Sequence, residues 1–456
     1  MRVLALLVLS AVAVLRAAAP PVYHLLWFDT EDYIEPSSDD AALRLADELT
    51  RRGVRATFKI VGEKARVLEQ RGRVDVLRAL ARHEIGFHAE NHSIPPQPAV
   101  YLEKLGLLEG AAEFERREGP GYRDLVRIFG VIPSCYGQPG SSWGPQSNLA
   151  LRKWGINAYM DDGSHVGFDN QPFWYGGILY IFNLGPNTLR ADINDPSKLS
   201  ALLDRYDQTL AALRARGGGV MQTYYHPTEF AATEFWDAVN FSRGANPERS
   251  QWKSPSLRTP ESREQAYRLF LQFVDHLRAS ESVRFVTANE LRQLMQPRDQ
   301  LPPLPVARKL ADSIDVHEGY SPAEQLLALL DLPPQHVDGP SRRSVSTLTD
   351  SGIPRWAFDK AKSDAKDFIQ RNGRLPDHVW IGTGIVSLPD FAATLAADPG
   401  SGPVPMHRAK LDIEAHVTKN AEQAYNWVIH PKGFAPENLL ELGRLQAWTL
   451  KPARLK

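Results

Sequence analysis

The amino-acid sequence predicts an α/β fold, a mostly parallel sheet or an α/β barrel, followed by a second and mainly helical domain. Three observations predict it. From Val22 to about Met295, short apolar runs alternate with stretches of amphipathic helical spacing, the pattern of repeated β-then-α units. Between Gln296 and Val306 the periodicity stops and four prolines accumulate, as in a stiff linker. Beyond that break the apolar residues recur mainly at helical spacing. At 456 residues the chain is long enough to build two cores.

Taken in order, the first strand candidate is 24–28, followed by helical spacing over 39–52 and a second apolar run at 54–61. Segments 84–88, 155–160, 178–182, 219–225 and 283–286 give further strand candidates, with helical patterns over 199–216 and 261–279 between them. The last strand runs into Thr287-Ala288-Asn289-Glu290, a capping-box pattern that opens a closing helix. After the linker, Ser321-Pro322-Ala323-Glu324 opens another helix with proline in its first turn. Segments 356–371, 386–396 and 420–428 continue the helical pattern. The predicted organisation is therefore an α/β unit over 20–296, a linker over 297–306 and a helical accessory domain over 307–456.

Bulk properties exclude several functions. The formal net charge is −1, so no global field favours nucleic acid or an anionic membrane, and no local basic patch replaces it. Arg2, the apolar run from Val3 to Leu15 broken only by Ser10, and Ala17-Ala18-Ala19 together read as an export signal over 1–19. That run, about 13 residues, is too short to cross a hydrocarbon core of about 30 Å, and no later segment reads as a transmembrane span. The expectation is a periplasmic or extracellular protein. Cys135 is the single cysteine, which rules out an intrachain disulfide and suits a small buried residue better than a nucleophile.

Four segments place chemically capable residues at the end of an apolar run, where the loops of α/β folds build active sites. The first is Asp29-Thr30-Glu31-Asp32. Three acids in four positions would repel one another if buried and ionised, and a divalent cation removes that conflict. The alternative is a polar loop whose acids face water or cap the next helix. The second is His88-Ala89-Glu90-Asn91-His92; histidines four apart can meet one metal from a single helical turn. The third is Tyr136-Gly137-Gln138-Pro139-Gly140-Ser141-Ser142-Trp143, a turn whose N–H groups could face an oxyanion or an ordinary tight turn. The fourth is His226-Pro227 after the run 219–225, a histidine suited to acid catalysis or to a structural hydrogen bond.

This order of acid cluster, H-x-x-x-H, Pro-Gly turn and strand-end His-Pro resembles the polysaccharide deacetylases, the carbohydrate esterase family 4 group. The resemblance covers roughly residues 22–295. It implies a distorted (β/α) barrel and hydrolysis of an N-acetyl or O-acyl group of an envelope or extracellular polysaccharide. It also implies a divalent metal, zinc, held by His88, His92 and a carboxylate. Asp29 matches the general base and His226 the acid that protonates the departing amine, with Asp161 or Asp162 as its partner. Strand alternation puts Glu31 on the face of Asp29, while Asp32 matches the ligand's residue type, so both acids stand as ligand candidates. Tyr136, Gln138, Pro139, Gly140 and Trp143 are the substrate-binding candidates. Trp143, Phe173, Trp174, Tyr175 and Tyr224 are aromatics that could stack on sugars or belong to the core.

One departure stands out. The group carries an arginine just before the proline turn to hold the base, and Gly137 or Gln138 occupies that place here. This motivates the reading of a non-catalytic glycan-binding protein of the envelope; the resemblance also leaves open an amidohydrolase acting on a non-sugar amide, since related barrels tolerate such substrates. Residues 368–379, with their N-G-x-L-P turn, are similar to pseudomurein-binding repeats. That similarity implies a C-terminal domain that docks on cell-wall glycan.

Overall fold

The computed structural model describes residues 20–349 and 352–455. The segment read as an export signal lies outside the described residues.

Among the described residues the chain is a mixed α/β structure around one ten-stranded sheet, curled into an incomplete barrel. Its strands are β1 (Val22–Thr30), β2 (Thr57–Ile60), β3 (Glu84–Phe87), β4 (Cys135–Tyr136), β5 (Ala158–Asp161), β6 (Phe173–Tyr175), β7 (Ile178–Phe182), β8 (Gly219–Tyr225), β9 (Val283–Phe285) and β12 (Lys451–Pro452); β10 (His378–Ile381) and β11 (Gly384–Ser387) form a separate hairpin. Strand β1 is the hub. It pairs in parallel with β8 from Val22 to Phe28, with β9 at its start and with β2 at its end. All nine of its residues are buried, as expected of a parallel strand covered on both faces. The path continues in parallel through β3, β4, β5 and β7, then turns antiparallel into β6 and β12.

Helices cross between the parallel strands, among them Ser37–Arg51, Val74–Leu80, Leu107–Phe129, Leu199–Ala215 and Pro260–Ala279. Because these crossovers return each strand in the same direction, the C-terminal ends of β1, β2, β3, β4, β5 and β8 share one rim. The core on the helical side packs Phe28, Phe58, Phe87 and Leu45 against the crossing helices. Thr287 and Glu290 form the predicted capping box, and Ser321 and Glu324 form a further one at the predicted helix start.

Two predicted helices are shorter than their patterns. Segment 386–396 begins as strand β11, where Val386 pairs with Val379, and becomes helix only at Leu388, next to Pro389 in its first turn. Segment 420–428 is helical only over Ala421–Ala424, because Tyr425 and Trp427 reach away to hydrogen-bond the Trp143 carbonyl and the Asp237 carboxylate. The two-residue strands β4 and β12 carry too little pattern to be seen locally, and β12 pairs with β6 at the sheet's edge. Among the described residues no helix is long and apolar enough to cross a membrane.

Candidate metal centre and catalytic cleft

The shared rim opens into a cleft of about 440 Å³ lined by Asp29, Glu31, His88, His92, Asp161 and His226 together with loop residues. Glu31 lies two residues beyond Asp29. Its Oε2 is 2.8 Å from His92 Nε2 and 3.3 Å from His88 Nε2. The ligating atoms of Glu31, His88 and His92 all lie within 4.8 Å of one another, and all three residues are buried.

The outward atoms of this set are tied. His88 Nδ1 is 3.0 Å from the Gly137 carbonyl and His92 Nδ1 is 2.5 Å from Ser93 Oγ. The carbonyl can only accept, so His88 Nδ1 carries the proton and Nε2 presents its lone pair to the gap. Trp236 Nε1 donates to Glu31 Oε1 at 3.0 Å. Three buried donors converging on one point, each oriented from behind, fit a divalent cation. Burial pushes the Glu31 carboxyl up, but the charges of His92 and His226 hold it well below the usual carboxylate range.

Asp32, the other ligand candidate, is turned away. Its Oδ1 accepts the N–H groups of Ile34 and Glu35, both at 3.0 Å, and its Oδ2 accepts Thr228 Oγ1 at 2.9 Å. Burial raises it to about 6 against the pull of Lys64. The histidines do not share a helical turn, as their spacing predicts. Residues 88–97 are an irregular loop, and Ala89 (φ 65°) and His92 (φ 60°) take left-handed backbone. Those two reversals fold the loop back so that both Nε2 atoms face Glu31.

Asp29 meets a cation of the chain's own. Lys59, wholly buried, places Nζ 2.9 Å from Asp29 Oδ1 and 3.3 Å from Asp161 Oδ2, and donates to the Met160 carbonyl at 2.7 Å. The ammonium also lies 4.1 Å from the Trp27 ring centroid. Burial disfavours the charged amine, but Asp161 and Asp29 outweigh it and raise its pKa. Burial lifts Asp161 to about 7 in spite of Lys59. In register, Lys59 sits between Asp29 and Gly86, and a Cβ on Gly86 would press on its side chain. A Cβ on Gly137 would collide with its Nζ. The cation absent at 137–138 thus arrives from the neighbouring strand, through space that these two glycines leave open. The visible signal was a lysine inside the buried run Thr57-Phe58-Lys59-Ile60.

His226 follows β8 and caps the helix Pro227–Ala231. Its Nε2 is 3.6 Å from Asp29 Oδ2 and its Nδ1 is 2.7 Å from Glu229 Oε1. Glu229 is in turn paired with Arg190. Burial opposes charge on the imidazole, but Glu31, Glu229 and Asp29 raise His226 to about 9. The expectation that Asp161 or Asp162 partners His226 is corrected here. Asp161 is engaged by Lys59, and Asp162 accepts Thr188 Oγ1 at 3.4 Å. Glu229 stands three positions after His226, where a capping-box glutamate reaches back.

Of the turn residues, Gln138 and Gly140 line the cleft. Tyr136 is packed among Phe87, Phe114 and Tyr159, Trp143 stacks on His165 with centroids 5.3 Å apart, and Pro139 is buried in the turn itself. Among the aromatics, Tyr224 lines the cleft while Phe173, Trp174 and Tyr175 are buried in β6. Three aromatics not singled out from sequence, Trp27, Phe235 and Trp427, also line it.

No protein-family model and no curated protein sequence matches this chain. Solved structures match about three fifths of it. A candidate polysaccharide deacetylase from Mycobacterium smegmatis is 17% identical, covers 62% of this chain and 95% of its own, and has a TM-score of 0.38. A peptidoglycan deacetylase from Bacillus subtilis is 13% identical over 60% of this chain and 91% of its own, with a TM-score of 0.31. A family 4 acetyl xylan esterase from Clostridium thermocellum, solved with a cobalt ion, is 15% identical over 60% and 91%, with a TM-score of 0.31.

Proposed function

We propose that this protein is an exported, metal-dependent hydrolase that removes the N-acetyl or O-acyl group of an envelope or extracellular polysaccharide. The observation that carries the reading is the convergence of a Glu31–His88–His92 ligand set with a carboxylate, Asp29, and an imidazole, His226, at 3.6 Å from each other. The acylated sugar as substrate follows from the order of motifs along the chain.

Glu31, His88 and His92 would hold the cation, zinc in this reading. When bound, it supplies a Lewis acid that polarises an acyl carbonyl and makes water more acidic. Asp29 then accepts the proton of the attacking water through Oδ2, the oxygen that faces His226, while Lys59 holds Oδ1. Lys59 keeps Asp29 fixed and compensates its buried charge. His226 enters the reaction protonated, with Glu229 on Nδ1, and delivers its Nε2 proton to the leaving nitrogen or oxygen as the acyl bond breaks. Arg190 keeps Glu229 ionised for that purpose. The non-catalytic reading takes its motive from the missing cation at Gly137-Gln138; the Lys59 ammonium beside Asp29 supports the catalytic reading.

The test combines metal analysis of the purified protein with acetate release from N-acetylated and O-acetylated oligosaccharides. The expected result is about one divalent ion per chain and acetate release that stops on chelation and returns on metal addition. Absence of bound metal together with no release across a broad glycan panel overturns the proposal. Release from a small non-sugar amide alone favours the amidohydrolase reading.

A further inference from the structure

The cleft is not closed by the sheet's own loops alone. Gln423, Ala424, Asn426 and Trp427, far along the chain, line it together with the metal-ligand candidates. The segment that carries them is strapped across the rim. The Trp427 N–H donates to Ser141 Oγ at 3.0 Å, its indole Nε1 donates to Asp237 Oδ2 at 2.8 Å, and Tyr425 Oη donates to the Trp143 carbonyl at 3.1 Å. On the far side, the Arg243 N–H donates to the Val428 carbonyl at 2.7 Å. The indole lies so close on Gly140 that a Cβ there would collide with it. Trp427 is therefore held rigidly, yet it remains only half-buried.

Its neighbour gives the arrangement a direction. The Phe235 ring stands edge-on to Trp427, centroids 5.8 Å apart, and edge-on to His226, centroids 4.9 Å apart. Phe235 and Trp427 together wall the cleft. They also line a second hollow of about 450 Å³ outside it, shared with Ala238, Val239, Val428 and Glu234. The two hollows are thus adjacent, divided by one aromatic wall next to the proposed proton donor. A pyranose ring has an apolar C–H face that packs on aromatic rings and a polar edge that seeks hydrogen bonds. A fixed indole offers that contact at little ordering cost.

We propose that Trp427 and Phe235 form a platform for the sugar unit next to the one being deacylated, so that the C-terminal segment selects oligosaccharides over free amino sugars. The naming of the ligand as a glycan rests on the deacylase reading; the platform itself rests on the two hollows and their common wall.

The experiment is calorimetric titration of the full, metal-loaded chain with glucosamine and with its β-1,4 tetramer, neither of which has an acyl group to lose. Wild type, Trp427→Ala and Val239→Arg are compared. Val239 lies in the outer hollow and is 36% exposed, so its replacement fills that hollow without disturbing the core. The expected result is a tetramer that binds wild type at least tenfold tighter than the monomer, with that ratio falling at least fivefold in both variants. A purely structural role for Trp427 would weaken both ligands alike and leave the ratio unmoved. Equal affinities in wild type, or an unchanged ratio in both variants, overturns the platform. Acetate release from the acetylated tetramer is measured alongside. A preserved ratio pattern with no release overturns the hydrolytic reading and supports the platform.

Discussion

Asp29 and Glu31 leave the same strand end two residues apart, and their surroundings put them to opposite uses. Asp29 faces an ammonium, Lys59, that is wholly buried and also binds Asp161 and the Met160 carbonyl. Glu31 faces two imidazoles whose outer nitrogens are tied to the Gly137 carbonyl and Ser93 Oγ. A lysine brings a charge with no lone pair, so it pairs with Asp29 and adds no ligand for a metal. An imidazole can be neutral and offers a lone pair, so the Glu31 side forms a ligand set. A buried carboxylate thus becomes base or ligand according to the cation it meets.

The comparison breaks first at the ligand set. Glu31→Gln or His88→Ala should abolish retention of the divalent ion through a desalting column, with activity falling by more than the roughly 10–100-fold that outer-shell changes cost. Metal retained by both variants would show that the ion, if any, is held elsewhere.

The next effect tests the Asp29 side. Lys59→Met leaves Asp29 and Asp161 buried without their cation, an expected loss of about 3–5 kcal/mol in urea unfolding together with a fall in kcat. The conservative Lys59→Arg should recover part of kcat. The double variant Lys59→Ala with Gln138→Arg offers a cation from the next loop, where Gln138 lines the same cleft, and should recover more than Lys59→Ala alone. If the double variant folds and binds metal yet regains no kcat, a cation beside Asp29 is not what the site requires.

A smaller effect sharpens the role of His226. Its pKa is raised to about 9, so the imidazolium persists below that pH and is lost above it. Glu229 contributes to this rise, and Glu229→Gln should make His226 lose its proton at lower pH. The alkaline limb of kcat/KM then moves down while the acidic limb stays. Losing one charge-assisted hydrogen bond of about 1.5 kcal/mol shifts the limb by about one pH unit, so the loss should be roughly twofold at pH 8 and approach tenfold above pH 9. An alkaline limb that does not move would remove Glu229 from the proton path.

The smallest effect is expected at the neighbouring acid. Asp32→Asn keeps an oxygen for the Ile34 and Glu35 N–H groups and should retain metal in full, with stability changed by about 0.5–1.5 kcal/mol. Metal loss in this variant would exchange the roles of Asp32 and Glu31.

Much of the fold is visible in the chain itself. Strands β7 and β8 coincide with runs of apolar and β-branched residues, and the helices Leu199–Ala215 and Pro260–Ala279 lie within a residue of their amphipathic patterns. The helix Leu107–Phe129 was hidden by Gly119-Pro120-Gly121, since glycine and proline lower local helix propensity and only packing overrides them. Strand β4 is two residues long and exists because β3 and β5 flank it.

The site divides along the same line. The residue types at the rim (Asp29, Glu31, His88, His92 and His226) stand at the ends of apolar runs, so the sequence by itself determined which groups would gather there. Only the tertiary structure decided how they pair. Glu31 rather than Asp32 meets the histidines, Glu229 rather than Asp161 holds His226, and Lys59 fills the place left by Gly137. Trp427 reaches Ser141 across a sequence separation of 286. Periodicity and capping act between chain neighbours and can be read along the chain. The choice of partner depends on distance and burial in space, which the chain acquires only when its strands are set side by side.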